Sequence, residues 1–527
     1  MNYPLILPQF LKRAVKLYGD KEAVIGDNIR LTYKEVNARV NQLSCGLIEL
    51  GVKKGDRVAY LSTNTPEMLE GFFGVLQLGA VLVPLNTRLS IDDLIYIINH
   101  SGAKILYADK QFIESILQAR DRLTMVESII SNGTVTEETG VIPYNRFLNF
   151  YSKEDMDYFH IDENDLATLL YTSGTTGDPK GVMLTHRNNY LHALSSMHHL
   201  RVSDEDVLLH VLPMFHVNGW GSPFYYTANG ATHVCLDKVR PDLIFEKINK
   251  YGVTVIHMAP TVLNSILEYI EKNKVPKQTH RVRIFVAGAA PPLAFIKRVE
   301  KELNWKFIQV YGMTETSPLI TYSEIRDTQK NLSEEEIFHL KAKTGYELIG
   351  SEVKVVNDNG AEVKRDGTEI GEIIVRGIGV MKGYWNDPES TKEKIRDGWL
   401  YTGDLAVIYP DNNIAIVDRK KDIIISGGEN ISSLEVESVI YDHPSIKEAA
   451  IVATPHEKWG EVPLALVVKR EGYEGTTENE IIAYARARLA HFKAPKKVVF
   501  MDALPKNGSG KILKHELRNK FNKVFTT

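Results

Sequence analysis

YTSGTTGDPKG, residues 171–181, decides how this chain is read. Residues 169–172 have the texture of a strand end, and a loop rich in glycine and hydroxyls follows. Gly174, Gly177 and Gly181 permit tight turns and close approach of backbone to a ligand. Successive N–H groups in such a loop form a concave anion site. Thr172, Ser173, Thr175 and Thr176 add hydroxyls that donate hydrogen bonds or ligate a metal, and Lys180 adds positive charge. The set suits a polyphosphate carrying magnesium; taken alone, a Gly/Thr-rich stretch also reads as a surface loop. A Walker loop is excluded, because that pattern ends G-K-[ST] and Lys180 stands between Pro179 and Gly181. Gly508-Ser509-Gly510-Lys511 fails it too, since Pro505 occupies the place of the first glycine.

Outward from the loop, two periods alternate. Residues 57–62, 81–84 and 105–108 read as strands, and 66–78 and 91–99 as helices, with Pro66 in a first turn. Strand texture returns at 206–213, 231–236, 253–258 and 282–287, while 110–160 is less regular. This βαβα rhythm predicts an α/β fold with parallel sheet covered by helices. After about residue 345 the texture changes to short strands at 349–357, 369–376 and 413–417, a small β-rich unit. The charged run Asp418-Arg-Lys-Lys-Asp422 reads as a solvated linker or hinge. A compact α+β segment follows, with helices at 433–441 and 477–490 and strands at 448–453 and 463–469. The expected division is 1–417, a hinge at 418–423, and 424–527.

With 527 residues the chain is too long for one ordinary core. Charged residues make up 25%, interspersed to a net charge of −4, and no basic block is present to track a phosphodiester backbone, so nucleic acid is an unexpected partner. Two cysteines, Cys45 and Cys235, suggest neither a disulfide framework nor a metal cluster. The N-terminus lacks the marks of a signal peptide, and the most apolar stretch, 69–85, is broken by Glu70, Gln77 and Pro84. A cytoplasmic protein without a transmembrane segment is expected, with peripheral membrane association left open.

Further motifs share the loop's chemistry. Gln309-Val310-Tyr311-Gly-Met-Thr314-Glu315-Thr316 follows a strand at 306–310, and strand exits are where α/β sheets bind ligands. Tyr311 offers a flat face for a base and Glu315 a hard oxygen for magnesium; alone, the segment also reads as a strand–turn. Asp404, after Gly403, can accept hydrogen bonds from two neighbouring hydroxyls. Together the motifs at 171–181, 286–291, 309–316, 401–404, 418–419 and 505–512 resemble, in order, those of the adenylate-forming superfamily. That superfamily holds acyl- and aryl-CoA synthetases, luciferases and peptide-synthetase adenylation domains. The resemblance runs from about residue 30 to 515.

The resemblance implies a large N-terminal domain of αβα layers with a β-rich subdomain, and a small mobile C-terminal lid. It implies Lys511, Glu315, Thr172 and His216 as catalytic groups, with Mg2+ on Thr172 and Glu315. The nucleotide would be held by Ser173, Gly174, Thr175, Thr176, Gly177, Lys180, Gly288, Gln309, Val310, Tyr311, Thr314, Asp404, Arg419 and Lys421. Val217 and Trp220 would line the acid pocket, and Gly427 and Gly428 the CoA path. His216 follows Phe215 where amino-acid-activating domains usually carry aspartate, which points away from amino acids. The segments 341–345 and 426–432 resemble acyl ligases. A medium- or long-chain fatty acid is the expected substrate, within fatty-acid metabolism. An aryl acid or a short sulfur-containing acid is the alternative. ATP, Mg2+ and CoA are the expected cofactors and co-substrates, with a homodimer left open. Many members carry lysine where Ile425 stands, which puts that lysine's role in doubt here.

Overall fold

The computed structural model describes residues 3–133, 137–157, 160–172, 178–288, 293–506 and 511–525. Apolar strands between amphipathic helices assemble two large sheets. The first runs in the order Tyr346–Glu347, Leu319–Tyr322, Lys306–Gly312, Arg283–Val286, Val255–Met258, Val207–His210, Thr232–Cys235, Glu22–Ile25, Arg30–Thr32. It is parallel from Lys306–Gly312 to Glu22–Ile25. The second runs Gly383–Tyr384, Lys180–Thr185, Leu166–Thr172, Val81–Pro84, Arg57–Leu61, Ala103–Ala108, Ser128–Ser131, Ile142–Pro143. It is parallel from Leu166–Thr172 onward.

The sheets face each other across a layer of helices. The largest apolar cluster joins Val40, Phe72, Ala193 and Phe224 of those helices to Phe285 of the first sheet and Leu82 and Leu170 of the second. The outer face of the first sheet buries Ile256 and Ile284 under helices Pro241–Tyr251, Pro260–Asn273 and Leu293–Leu303. The outer face of the second buries Ala59 and Leu106 under Ile91–Ser101. Helix, sheet, helix, sheet, helix is the resulting stack. Burial on both faces explains why these strands read as continuous apolar runs.

An antiparallel sheet follows, built on Ser351–Val356, Gly371–Gly377, Trp399–Ile408 and Ile414–Arg419. From Ile424 on, a fourth sheet carries helices Ser433–Tyr441 and Glu478–Arg486 on one face and Lys514–Lys520 on the other. The α/β architecture with a large N-terminal part, a β-rich unit and a smaller C-terminal α+β part is thus as expected.

Two local readings change. The helix expected over 66–78 stops at Pro66–Gly74 and continues as a single tight turn, Leu76–Leu78, ended by Gly79 at φ 67°. The run 418–422 is not uniformly solvated. Asp418 and Arg419 complete the Ile414–Arg419 strand, and Asp418 and Asp422 are buried. Asp418 accepts from the backbone N–H groups of Arg419 and Ser433, and Asp422 pairs with Arg518 at 2.8 Å. A carboxylate with such partners costs less to bury than an unpaired one, which charge density along the chain does not reveal.

Candidate active site

Strands Leu166–Thr172 and Lys180–Thr185 form an antiparallel pair that sets Thr172 opposite Lys180. Ser173, Gly174, Thr175, Thr176 and Gly177 lie outside the described residues, so the loop is defined by its two feet. Lys180 Nζ lies 3.4 Å from the Asp387 carboxylate, contacts the Ser390 hydroxyl, and stands 5.4 Å from the centroid of the Tyr384 ring. Tyr171, beside Thr172, shares a 2.7 Å hydrogen bond with His100 Nδ1.

The short strand Gly383–Tyr384 joins the loop to the 309–316 motif. It pairs with Met183 and Val182, and Trp385 N–H donates to Gly181 O at 2.7 Å. On its other side Met381 N–H donates to Glu315 O at 2.9 Å, and Tyr384 Oη donates to Glu315 Oε1 at 2.8 Å. Thr314 and Glu315 are buried in the turn that ends strand Lys306–Gly312. Tyr384, Asp387 and Ser390 fall in none of the motifs read from the sequence; the adjacent aromatics Tyr384 and Trp385 beside Gly383 are the one local signal there.

Glu315 supplies one hard oxygen donor and Thr172 a hydroxyl. Among the described residues no group of three or more His, Cys, Asp and Glu could hold a metal alone. Mg2+ prefers one or two carboxylates completed by substrate phosphates and water. The residues present therefore fit a magnesium ion that arrives on a nucleotide.

Tyr311, Asp404 and Arg419 form a chain of hydrogen bonds and ion pairs. Tyr311, at the exit of its strand, donates to Asp404 Oδ2 at 2.8 Å. Asp404 pairs across strands with Arg419, whose Nε is 3.3 Å from Asp404 Oδ1. Burial, with Asp404 adding, raises the Tyr311 phenol well above its usual range, so it stays a donor. Gln309 and Val310 are buried in the same strand, and Gln309 Oε1 finds no partner among the described residues. Gly288, two residues past the neighbouring strand Arg283–Val286, has φ 100°, and a β-carbon there would meet nothing within 4 Å among the described residues. Only glycine adopts that backbone freely.

Lys511 reaches this wall from the C-terminal part. Burial, with the nearby Arg419 cation adding and Asp404 opposing, lowers its ammonium to about 7. Burial lowers Lys421 as well. The C-terminal part is held by ion pairs of Lys447 with Glu268 at 3.3 Å and Lys272 with Glu471 at 3.1 Å. Gly427 and Gly428 form the turn between strands Ile424–Ser426 and Glu429–Ile431 and are exposed, as is Ile425. No described hydrogen bond or ion pair joins that turn to Tyr311, Glu315 or Asp404. The structure thus brings Thr172, Lys180, Thr314, Glu315, Tyr311, Asp404, Arg419 and Lys511 to one region, and leaves Gly427 and Gly428 on another surface.

The segment carrying His216, Val217 and Trp220 is built on an unusual turn. Val217, Asn218, Gly219, Trp220 and Gly221 have consecutive φ values of 47°, 52°, 58°, 60° and 76°. Left-handed backbone costs roughly 1–2 kcal/mol for each non-glycine residue. Buried Asn218 holds the turn, donating to Thr168 Oγ1 at 3.0 Å and Asn189 Oδ1 at 3.1 Å. The turn lays Trp220, itself 5% exposed, over His257 with ring centroids 5.6 Å apart. His216 precedes the turn, half-buried and lowered to about 4 by desolvation with Arg88 adding, so it is neutral.

Known proteins agree with this geometry. The AMP-binding enzyme family model matches residues 11–385, and the AMP-binding enzyme C-terminal domain model matches residues 435–511. The chain is 39% identical to the peroxisomal butyrate–CoA ligase AAE11 of Arabidopsis thaliana over 98% of this chain and 93% of that one. It is also 39% identical to the peroxisomal benzoate–CoA ligase of the same plant, over the same shares. The anthranilate CoA ligase AuaEII, solved in complex with anthranoyl-AMP, superposes with a TM-score of 0.91 at 25% identity, covering 100% of this chain and 99% of that one. The chain belongs to the AMP-binding enzyme family. It is an acyl-CoA synthetase that uses ATP and CoA, with Mg2+ general to the family. Among the described residues no helix is long and apolar enough to cross a membrane.

Proposed function

We propose that this ligase activates a short-chain or aromatic carboxylic acid, in place of the medium- or long-chain fatty acid its sequence suggested. The observation that carries this is Trp220, folded flat on His257 and backed by Tyr225, Tyr226 and Phe285, all buried. Close-packed aromatic rings leave little room for an acyl chain. The butyrate and benzoate specificities of the two relatives, and the anthranoyl adenylate held by AuaEII, support the same size range.

In this reading the acid's carboxylate attacks the α-phosphorus of ATP, and pyrophosphate leaves. The 172–177 loop and Lys180 hold phosphates, Asp404 and Arg419 the ribose, and Tyr311, Gly288, Gln309 and Val310 the base. Thr314 and Lys511 donate to the α-phosphate region as charge shifts. Bound Mg2+, held by Glu315 and Thr172, would neutralise phosphate charge. Little covalent work falls to the protein, so positioning and charge stabilisation dominate. The C-terminal part, 424–527, then turns about 418–423. Lys511 withdraws, Gly427 and Gly428 replace it, and the CoA thiol attacks the acyl-adenylate, releasing AMP. His216 and Val217 border the acid, and Lys421 the nucleotide.

CoA-dependent AMP release across butyrate, benzoate, octanoate and palmitate tests the reading. Butyrate or benzoate should exceed both longer acids in kcat/KM. Highest turnover with palmitate would restore the fatty-acid assignment.

A further inference from the structure

The chain on either side of Lys511 is fixed at two feet. Lys506 and Ile512 pair as an isolated antiparallel bridge, and Leu513 N–H donates to Pro505 O at 2.9 Å. At the first foot Lys506 Nζ donates to Glu448 Oε1 at 2.7 Å. At the second, Lys514 opens helix Lys514–Lys520. Its Nζ donates to Ser433 Oγ at 2.6 Å and lies 2.7 Å from Glu437 Oε1. This ion pair is largely buried, its side chains 13% and 12% exposed. Ser433 and Glu437 stand one turn apart on helix Ser433–Tyr441, and Glu437 Oε1 also accepts from Ile451 N–H at 2.8 Å. One ammonium thus fastens the segment after Lys511 to a helix and, through Glu437, to strand Ile446–His456.

Stability is a poor account of this placement. Lys514 is the first residue of its helix and bonds the first residue of another, and the positive end of a helix dipole disfavours a cation at both. Burying an ion pair also costs hydration, and apolar residues of like volume often serve a core as well. What the pair supplies is direction. Lysine carries its charge on a flexible four-carbon stem, so Lys511 reaches a defined point only from a fixed backbone. The contact is also separate from the hinge: Ser433 meets Asp418 through its backbone N–H, and Lys514 through its hydroxyl.

We propose that Lys514 and Glu437 are positioning residues for adenylation, their buried pair holding the backbone from which Lys511 reaches the nucleotide wall. The proposal rests on the role given to Lys511 under the proposed function. No described hydrogen bond or ion pair joins Lys514 or Glu437 to Tyr311, Glu315, Asp404 or Arg419. The pair therefore acts through Lys511, and removing it costs no more than removing Lys511 itself. In the second half-reaction, from which Lys511 has withdrawn, the pair has no part.

The test uses the full chain and reads the half-reactions separately, with butyrate or benzoate as the acid. Lys514→Met should lower ATP–pyrophosphate exchange about ten- to a hundredfold, the scale of a misplaced reacting group. Thioesterification of a supplied acyl-adenylate should be unchanged. Lys514→Arg, which keeps the charge, should recover most of the loss. In the Lys511→Ala chain, Lys514→Met should cost nothing further, because residues that act as one unit do not add. Burial raises the Glu437 carboxyl, so without its partner it can take up a proton and the chain should fold. Glu437→Gln keeps the shape, removes the charge and should repeat the pattern. Equal loss in both half-reactions, a further loss in the Lys511→Ala chain, no loss in either variant, or failure of both variants to fold would each overturn the inference and leave the ligase assignment intact. Exchange untouched by Lys511→Ala would overturn the role of Lys511 and this inference together.

Discussion

The nucleotide wall and the acid floor lie at the ends of neighbouring strands of one sheet, yet they are made of opposite materials. The wall is ionic and internally bonded: Tyr311 to Asp404, Asp404 to Arg419, Tyr384 to Glu315, with Lys511 closing from the other part of the chain. The floor is neutral and aromatic, and two of its polar atoms are unpaired. A polyanion binds through charge, which acts over distance and tolerates small misfits. In the proposed reading the acid carries one charge, consumed in the reaction, so shape is left to select it. In that reading one region serves the step common to the family, and the other the choice of acid.

The largest test of the division is Lys511→Ala. It should lower adenylation, read as ATP–pyrophosphate exchange, by roughly 10²–10³-fold, the scale of losing one preorganised charge donor. Thioesterification of a supplied acyl-adenylate should persist, and selectivity among acids should not move. Equal loss of both half-reactions would break the two-position scheme. Asp404→Asn should act next most strongly. It strips charge from the ribose contact and from Arg419, raising KM for ATP about tenfold or more while leaving the acid preference unchanged.

The third test uses pH. Lys511 is lowered to about 7 by burial, with Arg419 adding. The ammonium is the useful form, so kcat/KM for ATP should fall above about pH 7, by about tenfold per unit. Bound triphosphate supplies negative charge that raises the group again, so kcat at saturating ATP should hold to higher pH. Lys511→Arg, permanently cationic, should lose the limb. The linkage to docking has the opposite sense. A lysine lowered on docking releases a proton between about 7 and its ordinary range, so rising pH through that window favours the docked arrangement. His216, near 4, adds nothing in this range.

The same contrast explains what the sequence made legible. That Thr172, Glu315, Asp404 and Lys511 come together was readable because each lies in a short motif whose residue types and local spacing stand out in the sequence. Parallel sheet was readable because strands buried on both faces are apolar throughout. The Tyr384 contact to Glu315 was not, since it joins residues 69 positions apart. The acid floor was still less so. Trp220, Tyr225, His257 and Phe285 come from three separate segments, and each alone looks like ordinary core. The buried carboxylates Asp418 and Asp422 looked solvated for a related reason: their partners Ser433 and Arg518 are distant in the chain.

The smallest expected effect probes the floor directly. Trp220→Ala should shift preference toward longer acids, raising the octanoate-to-butyrate ratio of kcat/KM about five- to tenfold. The argument starts from the backbone. Trp220 sits at φ 60°, held by the Asn218 hydrogen bonds to Thr168 and Asn189, so its ring has no easy route off His257. Removing the ring empties space that several methylenes could fill, each worth about 0.8 kcal/mol when buried. Part of that gain is lost because the emptied site relaxes and because alanine also bears a left-handed conformation poorly. ATP-side constants should not move, since among the described residues Trp220 shares no hydrogen bond with the wall. An unchanged chain-length ratio would mean that another part of the floor sets the limit. A change in KM for ATP would mean that the two regions are not separable.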